Sequence, residues 1–350
     1  LPQIYPKRAS LFFTFYGYLW ALRLFEVGMF RWAAIFGLIG LVLATGLIVW
    51  SGWDEVLAAL SEAGWQGIFA VAAFHLLPLS ASAIGWRVLI PGKNRLSLPK
   101  FMYFMWIRAA INNLMPVARI GGEIATVRLM IAEGMRKSTA ISSIVVELTL
   151  SVASIFLFIA IGVFLFAVRV NNENVTMQLA WGLVLSTPLI GALLAVQKIG
   201  FFSLMARLFR ALFRDRWSSM AGDAALLDRA VGAVYRRRGR VMVCFFWQFL
   251  SWALGPFEIW MALHFLGHPL GLVEAVMIEA LIQASVSVAF AVPAALGVQE
   301  AGFLVFGGML GLPHDVAAAL AVIRRCRDLI VYSPALIVWQ IQEGKRLFIR

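Results

Sequence analysis

The sequence predicts an all-α polytopic integral membrane protein, a single membrane domain over residues 1–350. Three observations carry that prediction. Hydrophobic residues make up 62% of the chain and charged residues 14%, with a mean hydropathy of +0.86. A soluble chain of this size has too little interior for so much apolar surface. The apolar residues also fall in runs of spanning length, and the Lys and Arg behind a net charge of +12 gather at the run ends. Finally, one motif occurs twice. Pro116-Val117-Ala118-Arg119-Ile120-Gly121-Gly122-Glu123 and Pro293-Ala294-Ala295-Leu296-Gly297-Val298-Gln299-Glu300 each place a glutamate seven residues after a proline. A further charge follows each glutamate by 24 residues inside an apolar run, Glu147 and then Arg324. An internal duplication of this kind in a membrane chain points to a transporter-like architecture.

Taken in order, a basic and aromatic lead-in (Lys7, Arg8, Arg23, Arg31) precedes a first span over 32–50. The stretch 51–65 carries Asp54, Glu55 and Glu62 without Lys or Arg, which places it outside and the N-terminus in the cytoplasm. A second span, 66–87, returns to a cytoplasmic loop with Arg87, Lys93, Arg95 and Lys100. Segments 98–115 and 120–134 are then separated by Pro116 and the Gly pair. The second would reach only about 22 Å against about 30 Å of hydrocarbon. Arg136 and Lys137 follow it, so the positive-inside rule favours a re-entrant hairpin dipping in from the cytoplasm. Spans 139–168 and 177–197 flank a polar turn at 171–174. The segment 198–240 is the most basic, with Leu204, Leu208 and Leu212 on one helical side and Arg207, Arg210 and Arg214 on the other. That pattern predicts an amphipathic cytoplasmic segment against anionic headgroups. A span over 241–266 leads to a second hairpin, 270–292 with 297–312, entering from outside. A final span, 315–342, ends at Lys345, Arg346 and Arg350 in the cytoplasm. The expectation is therefore about six full spans and two re-entrant hairpins in an inverted repeat, 66–168 against 241–343.

Composition narrows the chemistry. The basic residues sit at span ends, as cytoplasmic loops and lipid headgroups require, which argues against a nucleic-acid partner. The two cysteines, Cys244 and Cys326, offer neither a disulfide framework nor zinc spacing. His264 and His268 flank a glycine at a span end and read as a solvated loop pair, so no metal and no cofactor are expected. No Gly-x-x-x-x-Gly-Lys-Ser/Thr motif and no cleavable signal pattern are present.

A charge at the centre of a membrane helix costs about 2.5–3.5 kcal/mol on insertion scales, so each one needs a reason. Arg108, Arg119, Glu123, Arg128, Glu147, Glu258, Glu279, Glu300, Arg324, Arg325 and Asp328 are concentrated in the hairpins and the span after each. Gly121 and Gly122 let helix N-terminal amides approach an anionic group, and the arginines supply forked donors for phosphate. The structural alternative is that Glu123 caps its helix, Arg324 pairs with Asp328 at i,i+4, and Arg325 snorkels.

The same residues carry a resemblance. Trp106-Ile107-Arg108, Asn113-Leu114-Met115-Pro116-Val117-Ala118, Gly121-Gly122-Glu123 and Val145-Val146-Glu147-Leu148-Thr149 resemble the lysylphosphatidylglycerol-synthase transmembrane (flippase-like) superfamily. Within it the hopanoid-biosynthesis-associated membrane proteins are nearest. Gly297-Val298-Gln299-Glu300 and Arg324-Arg325-Cys326-Arg327-Asp328 also fit. One departure stands out: the acidic-Arg-x-x-Asp pattern after the first hairpin reads Glu147-Leu148-Thr149-Leu150-Ser151, without the Arg and Asp. The resemblance implies movement of a lipid between leaflets of a bacterial inner membrane, and synthesis of a lysyl-lipid is not expected.

The expected function is thus a flippase-like transporter for an amphiphilic lipid, hopanoid-type or polar-headed, and not an enzyme. Its expected substrate site comprises Arg119, Gly121, Gly122, Glu123, Arg128 and Glu147 in the first half. Gly297, Gln299, Glu300, Arg324, Arg325 and Asp328 complete it in the second. Alternatives are an intramembrane enzyme on a lipid-phosphate carrier, or a scaffold for lipid-biosynthesis enzymes docked on 198–240.

Overall fold

The computed structural model describes residues 53–92, 96–115, 121–169, 177, 181, 184, 220–289, 295 and 297–348. The expected span over 32–50, nearly all of 177–197, the stretch 198–219, and both Pro116 and Arg119 lie outside the described residues. Among the described residues there is helix and turn and no strand. The helices are α1 (Trp53–Phe74), α2 (Leu76–Leu89), α3 (Leu98–Leu114), α4 (Gly121–Ala132) and α5 (Lys137–Arg169). They continue with α6 (Met220–Tyr235), α7 (Arg238–Phe265), α8 (Leu272–Val288), α9 (Val298–Met309) and α10 (His314–Phe348).

Three described stretches are long and apolar enough to cross a bilayer: Ala63–Leu89, Lys137–Arg169 and Arg238–Phe265. The last two match the expected spans to within three residues. The expected span 66–87 lies within the first, with a one-residue turn at His75 between α1 and α2. Pro78 is the physical reason, because it cannot donate to the carbonyl four residues earlier and crowds it. The acidic stretch 51–65 is already helical from Trp53, and the helix is broken at Gly64, whose φ of 60° and ψ of 175° leave the helical region. The first arm of the second hairpin stops at Val288, short of the expected 292.

Short helices recur in matched lengths. α3 has 17 residues and α4 has 12, then α5 has 33. α8 has 17 and α9 has 12, then α10 has 35. α3 starts behind Ser97 with Pro99 in its first turn, where a missing N–H costs nothing. α4 and α9 both open on glycine-containing turns with a glutamate in the first turn, where the helix dipole favours it.

Packing follows from small residues and apolar faces. α3 packs on α4 and α8 on α9, while α4 lies against α5 and α9 against α10. α2 packs along α7, α5 along α7 and α8, and α10 along α1 and α3. Close approach relies on glycine at two crossings. A Cβ at Gly85 would come within 2.8 Å of Trp247 Cβ, and one at Gly162 within 2.1 Å of Ala280 Cβ. One buried cluster joins Trp86, Phe101, Phe104 and Met130 to Tyr332, and a second joins Ile259, Leu263, Ile282, Phe303 and Leu320. Phe164, Val168 and Val288 are exposed, an apolar outer surface suited to lipid rather than water.

Two ion pairs fix the helix ends. Lys100 in the first turn of α3 pairs with Glu133 just past α4, so α3 begins where α4 finishes. Arg169, the last residue of α5, pairs at 3.2 Å with Glu274 in the first turn of α8. The described end of the basic 198–240 segment is α6, which packs on α5 and buries Ala224 and Val231.

Candidate functional site

The buried charges form three groups where these helices cross. In the first half, Arg108 of α3 clamps Glu147 of α5 with both terminal nitrogens, at 2.6 and 2.8 Å. Glu147 is fully buried. It also accepts a 2.8 Å hydrogen bond from Gln248 of α7, whose own oxygen accepts from Ser82 of α2 at 2.9 Å. Arg108 sits 5.1 Å over the Trp86 ring, whose Nε1 donates to Ser143. Two forked bonds, one amide and one aromatic face replace the water that this pair gives up on burial.

Glu123 lies beside this group. Asn112 of α3 donates Nδ2 to its carboxylate at 3.1 and 3.3 Å, while Asn112 Oδ1 accepts the Gly122 amide at 3.0 Å. One asparagine thus ties the N-terminus of α4 back onto α3. Gly122 is required there, because a Cβ would meet the Arg108 carbonyl at 2.5 Å and Asn112 Oδ1 at 2.6 Å. Gly121 begins α4, and Arg128 lies on its exposed side.

The second half repeats the motif with the signs exchanged. Here the carboxylate, Glu279, is on the first hairpin arm α8 and the guanidinium, Arg324, on the following helix α10. Both Arg324 terminal nitrogens bond Glu279, Nη2 at 2.8 Å. Gln283 supports the carboxylate at 2.7 Å, and Arg324 lies 5.8 Å over Phe303. Arg324 does not pair with Asp328 at i,i+4, the structural alternative read from the sequence, since Glu279 already holds both of its terminal nitrogens. Its buried Nε has no hydrogen-bond partner.

Glu300 closes a capping box on α9. It accepts the Gly297 amide at 2.8 Å, with Gly297 at φ 79°, and accepts Arg325 Nε at 2.7 Å. Arg325 therefore ties α10 to the tip of the second hairpin rather than snorkelling. Gln299 is half-buried in the same turn. Asp328 accepts from Arg327 Nε and Nη2 at 3.1 and 2.6 Å and lies 3.8 Å from Arg325.

The third group links four helical segments. His75, at the α1–α2 interruption, has Nδ1 2.7 Å from Glu258 Oε1 of α7 and Nε2 2.7 Å from the Tyr332 hydroxyl of α10. Arg327 of α10 binds Glu258 and also lies 3.2 Å from His75 Nδ1. Between this group and the Arg324 pair is a small cavity bordered by Glu258, Phe303, Arg324 and Arg327.

The structure thus gathers Glu300, Arg325 and Asp328 in one network, and places Arg324 beside it with Glu279. It holds Glu147 with Arg108 in the other half. Glu123 and Glu300 share no ion pair among the described residues. Sequence reasoning picked out Arg108, Glu258 and Glu279 as membrane charges but did not pair them with Glu147, Arg327 and Arg324. It missed His75, Tyr332 and Gln248. The signal for His75 was available: a single imidazole inside an apolar span, three residues before a proline.

Comparison with known proteins agrees with this architecture. A UPF0104 membrane protein of Pyrococcus horikoshii is 20% identical over 303 residues, which cover 81% of this chain and 88% of that protein. No solved structure matches. The family described as the lysylphosphatidylglycerol synthase TM region matches residues 37–335, nearly all of the helices and every charge cluster above, and the chain belongs to that family.

Proposed function

We propose that this protein moves an amphiphilic lipid, hopanoid-type or polar-headed, between the leaflets of a bacterial inner membrane, without changing the lipid chemically. The observation that carries the reading is the coincidence of buried guanidinium–carboxylate groups with two pairs of short helices. At 1.5 Å per residue, 17 and 12 residues reach about 26 and 18 Å, short of a bilayer's hydrocarbon core. Broken helices at membrane depth are tolerated where protein or a wet cavity surrounds them, and in transporters they build the substrate site. The family membership adds a membrane protein of lipid metabolism or transport.

The helix-end ion pairs support opposed hairpins. The Lys100–Glu133 end of the first hairpin lies near the start of α5 at Lys137, whereas the second hairpin begins beside Arg169 at its far end. A helix of 33 residues is about 50 Å long, so the two hairpins open on opposite faces. Matched helix lengths and the sign-exchanged Arg108–Glu147 and Glu279–Arg324 pairs favour the inverted repeat of 66–168 and 241–343. Both termini then lie in the cytoplasm, with the 198–240 segment on that leaflet.

In this reading the headgroup sits between the hairpin tips. Gly121 and Gly122 present the N-terminus of α4, and Gly297 and Gln299 that of α9. Arg119, Arg128, Glu123 and Glu300 meet the headgroup, while Glu147, Arg324, Arg325 and Asp328 hold the tips in place. Rocking of one half against the other would expose the site to each leaflet, with the tail remaining in lipid. The test compares lipids that co-purify with the wild type and with the Glu123→Gln/Glu300→Gln variant, by mass spectrometry. One species enriched in the wild type and lost from the folded variant is expected. Identical lipid profiles would move the substrate site away from the hairpin tips.

A further inference from the structure

The third charge group is centred on His75 and reaches the second hairpin tip through Asp328 and Arg325, and among the described residues its charges do not balance. Its connected ions are Glu258, Asp328 and Glu300 against Arg325 and Arg327. Three carboxylates face two guanidiniums. The neighbouring Glu279–Arg324 pair is neutral in itself. An excess negative charge in an apolar bundle is costly unless another cation joins it. His75 is the group in position, with its Nδ1 2.7 Å from Glu258 Oε1.

His75 is also placed to give the proton up. Its Nδ1 lies between an acceptor, Glu258, and a donor, Arg327 Nη1 at 3.2 Å. As imidazolium, His75 donates from Nδ1 to Glu258 and from Nε2 to the Tyr332 oxygen. As the neutral Nε2–H tautomer it keeps the Tyr332 bond, and Nδ1 accepts from Arg327 instead. Both protonation states therefore leave every ring nitrogen with a partner, and exchange between them swaps Glu258 for Arg327. Histidine is the side chain whose unperturbed charge changes between about pH 5 and 8.

A proline lies close to the site in each helix that supplies a partner. Pro78 follows His75 by three residues, Pro256 precedes Glu258 by two, and Pro334 follows Tyr332 by two. Each proline removes a ladder hydrogen bond, so the three segments meet where they bend most readily. We infer that His75 is a proton-binding site, with Glu258, Arg327 and Tyr332 as its positioning residues. Proton gain or loss there changes how α2, α7 and α10 are held together beside their prolines. If lipid movement is the protein's activity, this site is where protons couple to it; proton binding itself does not rest on that reading.

Other charges facing this region are already engaged. From α3 and α5, Arg108 and Glu147 pair with each other, and Arg87 at the far end of α2 donates to the Leu96 carbonyl. α1 has its acids, Asp54, Glu55 and Glu62, within its first ten residues. From α10, Arg324 holds Glu279 of α8, and Arg325 holds Glu300 of α9.

The test is nitrogen NMR of ring-15N-histidine protein in nanodiscs from pH 5 to 8, with one of the four histidines assigned by His75→Gln. Expected are two protonated ring nitrogens at the acid end and a bare Nδ1 with protonated Nε2 at the basic end. In Glu258→Gln, which keeps the ring, the doubly protonated state at the acid end should be lost. An Nδ1–H tautomer at every pH, or an unchanged acid-end spectrum in Glu258→Gln, would overturn the assignment. Should His75→Gln not fold, assignment by substituting His264, His268 and His314 leaves His75 as the remaining signal. A titrating His75 in protein that retains no specific lipid would sink the transport reading and leave the proton site standing.

Discussion

Arg108 and Glu147 show how single residues decide the energetics of such a bundle. A buried ion pair adds little net stability over an apolar pair, but breaking it strands a charge. Arg108→Met is expected to cost about 3–5 kcal/mol, because Glu147 keeps only Gln248 as a partner. Arg108→Met/Glu147→Leu should recover most of that loss. Thermal unfolding of the single and double variants in one detergent tests it, and purely additive losses would show that the two groups are not coupled. Gly122→Ala belongs to the same scale. Its Cβ meets the Arg108 backbone carbonyl as well as Asn112 Oδ1, and the carbonyl cannot step aside as a side chain can, so the hairpin must open. Loss of the Asn112 bonds to Gly122 and Glu123 should follow, visible as proteolysis between α3 and α4 that is absent in wild type.

At the scale of helices, the closest crossing is α5 on α8. Gly162 brings them together so tightly that an added methyl would lie 2.1 Å from the methyl of Ala280. Gly162→Ala is therefore expected to destabilise by about 1–3 kcal/mol, the usual cost of overpacking. Transferring the methyl group, as Gly162→Ala/Ala280→Gly, should restore the melting temperature. Failure of that rescue would mean the crossing is set elsewhere along the two helices. The same crossing positions Arg169 against Glu274, so helix packing and the end-to-end arrangement of the hairpins depend on one contact surface.

At the scale of the whole molecule, opposed hairpins make a topological prediction. With Cys244 and Cys326 replaced, Arg136→Cys should react with an impermeant maleimide only after the membrane is opened. His268→Cys should react from outside in intact spheroplasts. Labelling of both from one side would rule out hairpins entering from opposite faces. Much of this architecture was legible in the sequence. Glu123 and Glu300, Glu147 and Arg324, and the positive ends of each span report membrane insertion, which depends on local composition and on the cost of charge in lipid. The same local rules set the bounds of the spans 139–168 and 241–266 to within three residues. They did not reveal which charge meets which. Arg108 finds Glu147, Arg324 finds Glu279 and His75 finds Glu258 across 39, 45 and 183 residues of chain. The sequence by itself determined a helical membrane protein with charges it had to bury. Only the tertiary structure decided their pairing, because an ion pair is set by which helices cross and at what height, and helix crossing is a property of packed surfaces rather than of any one segment.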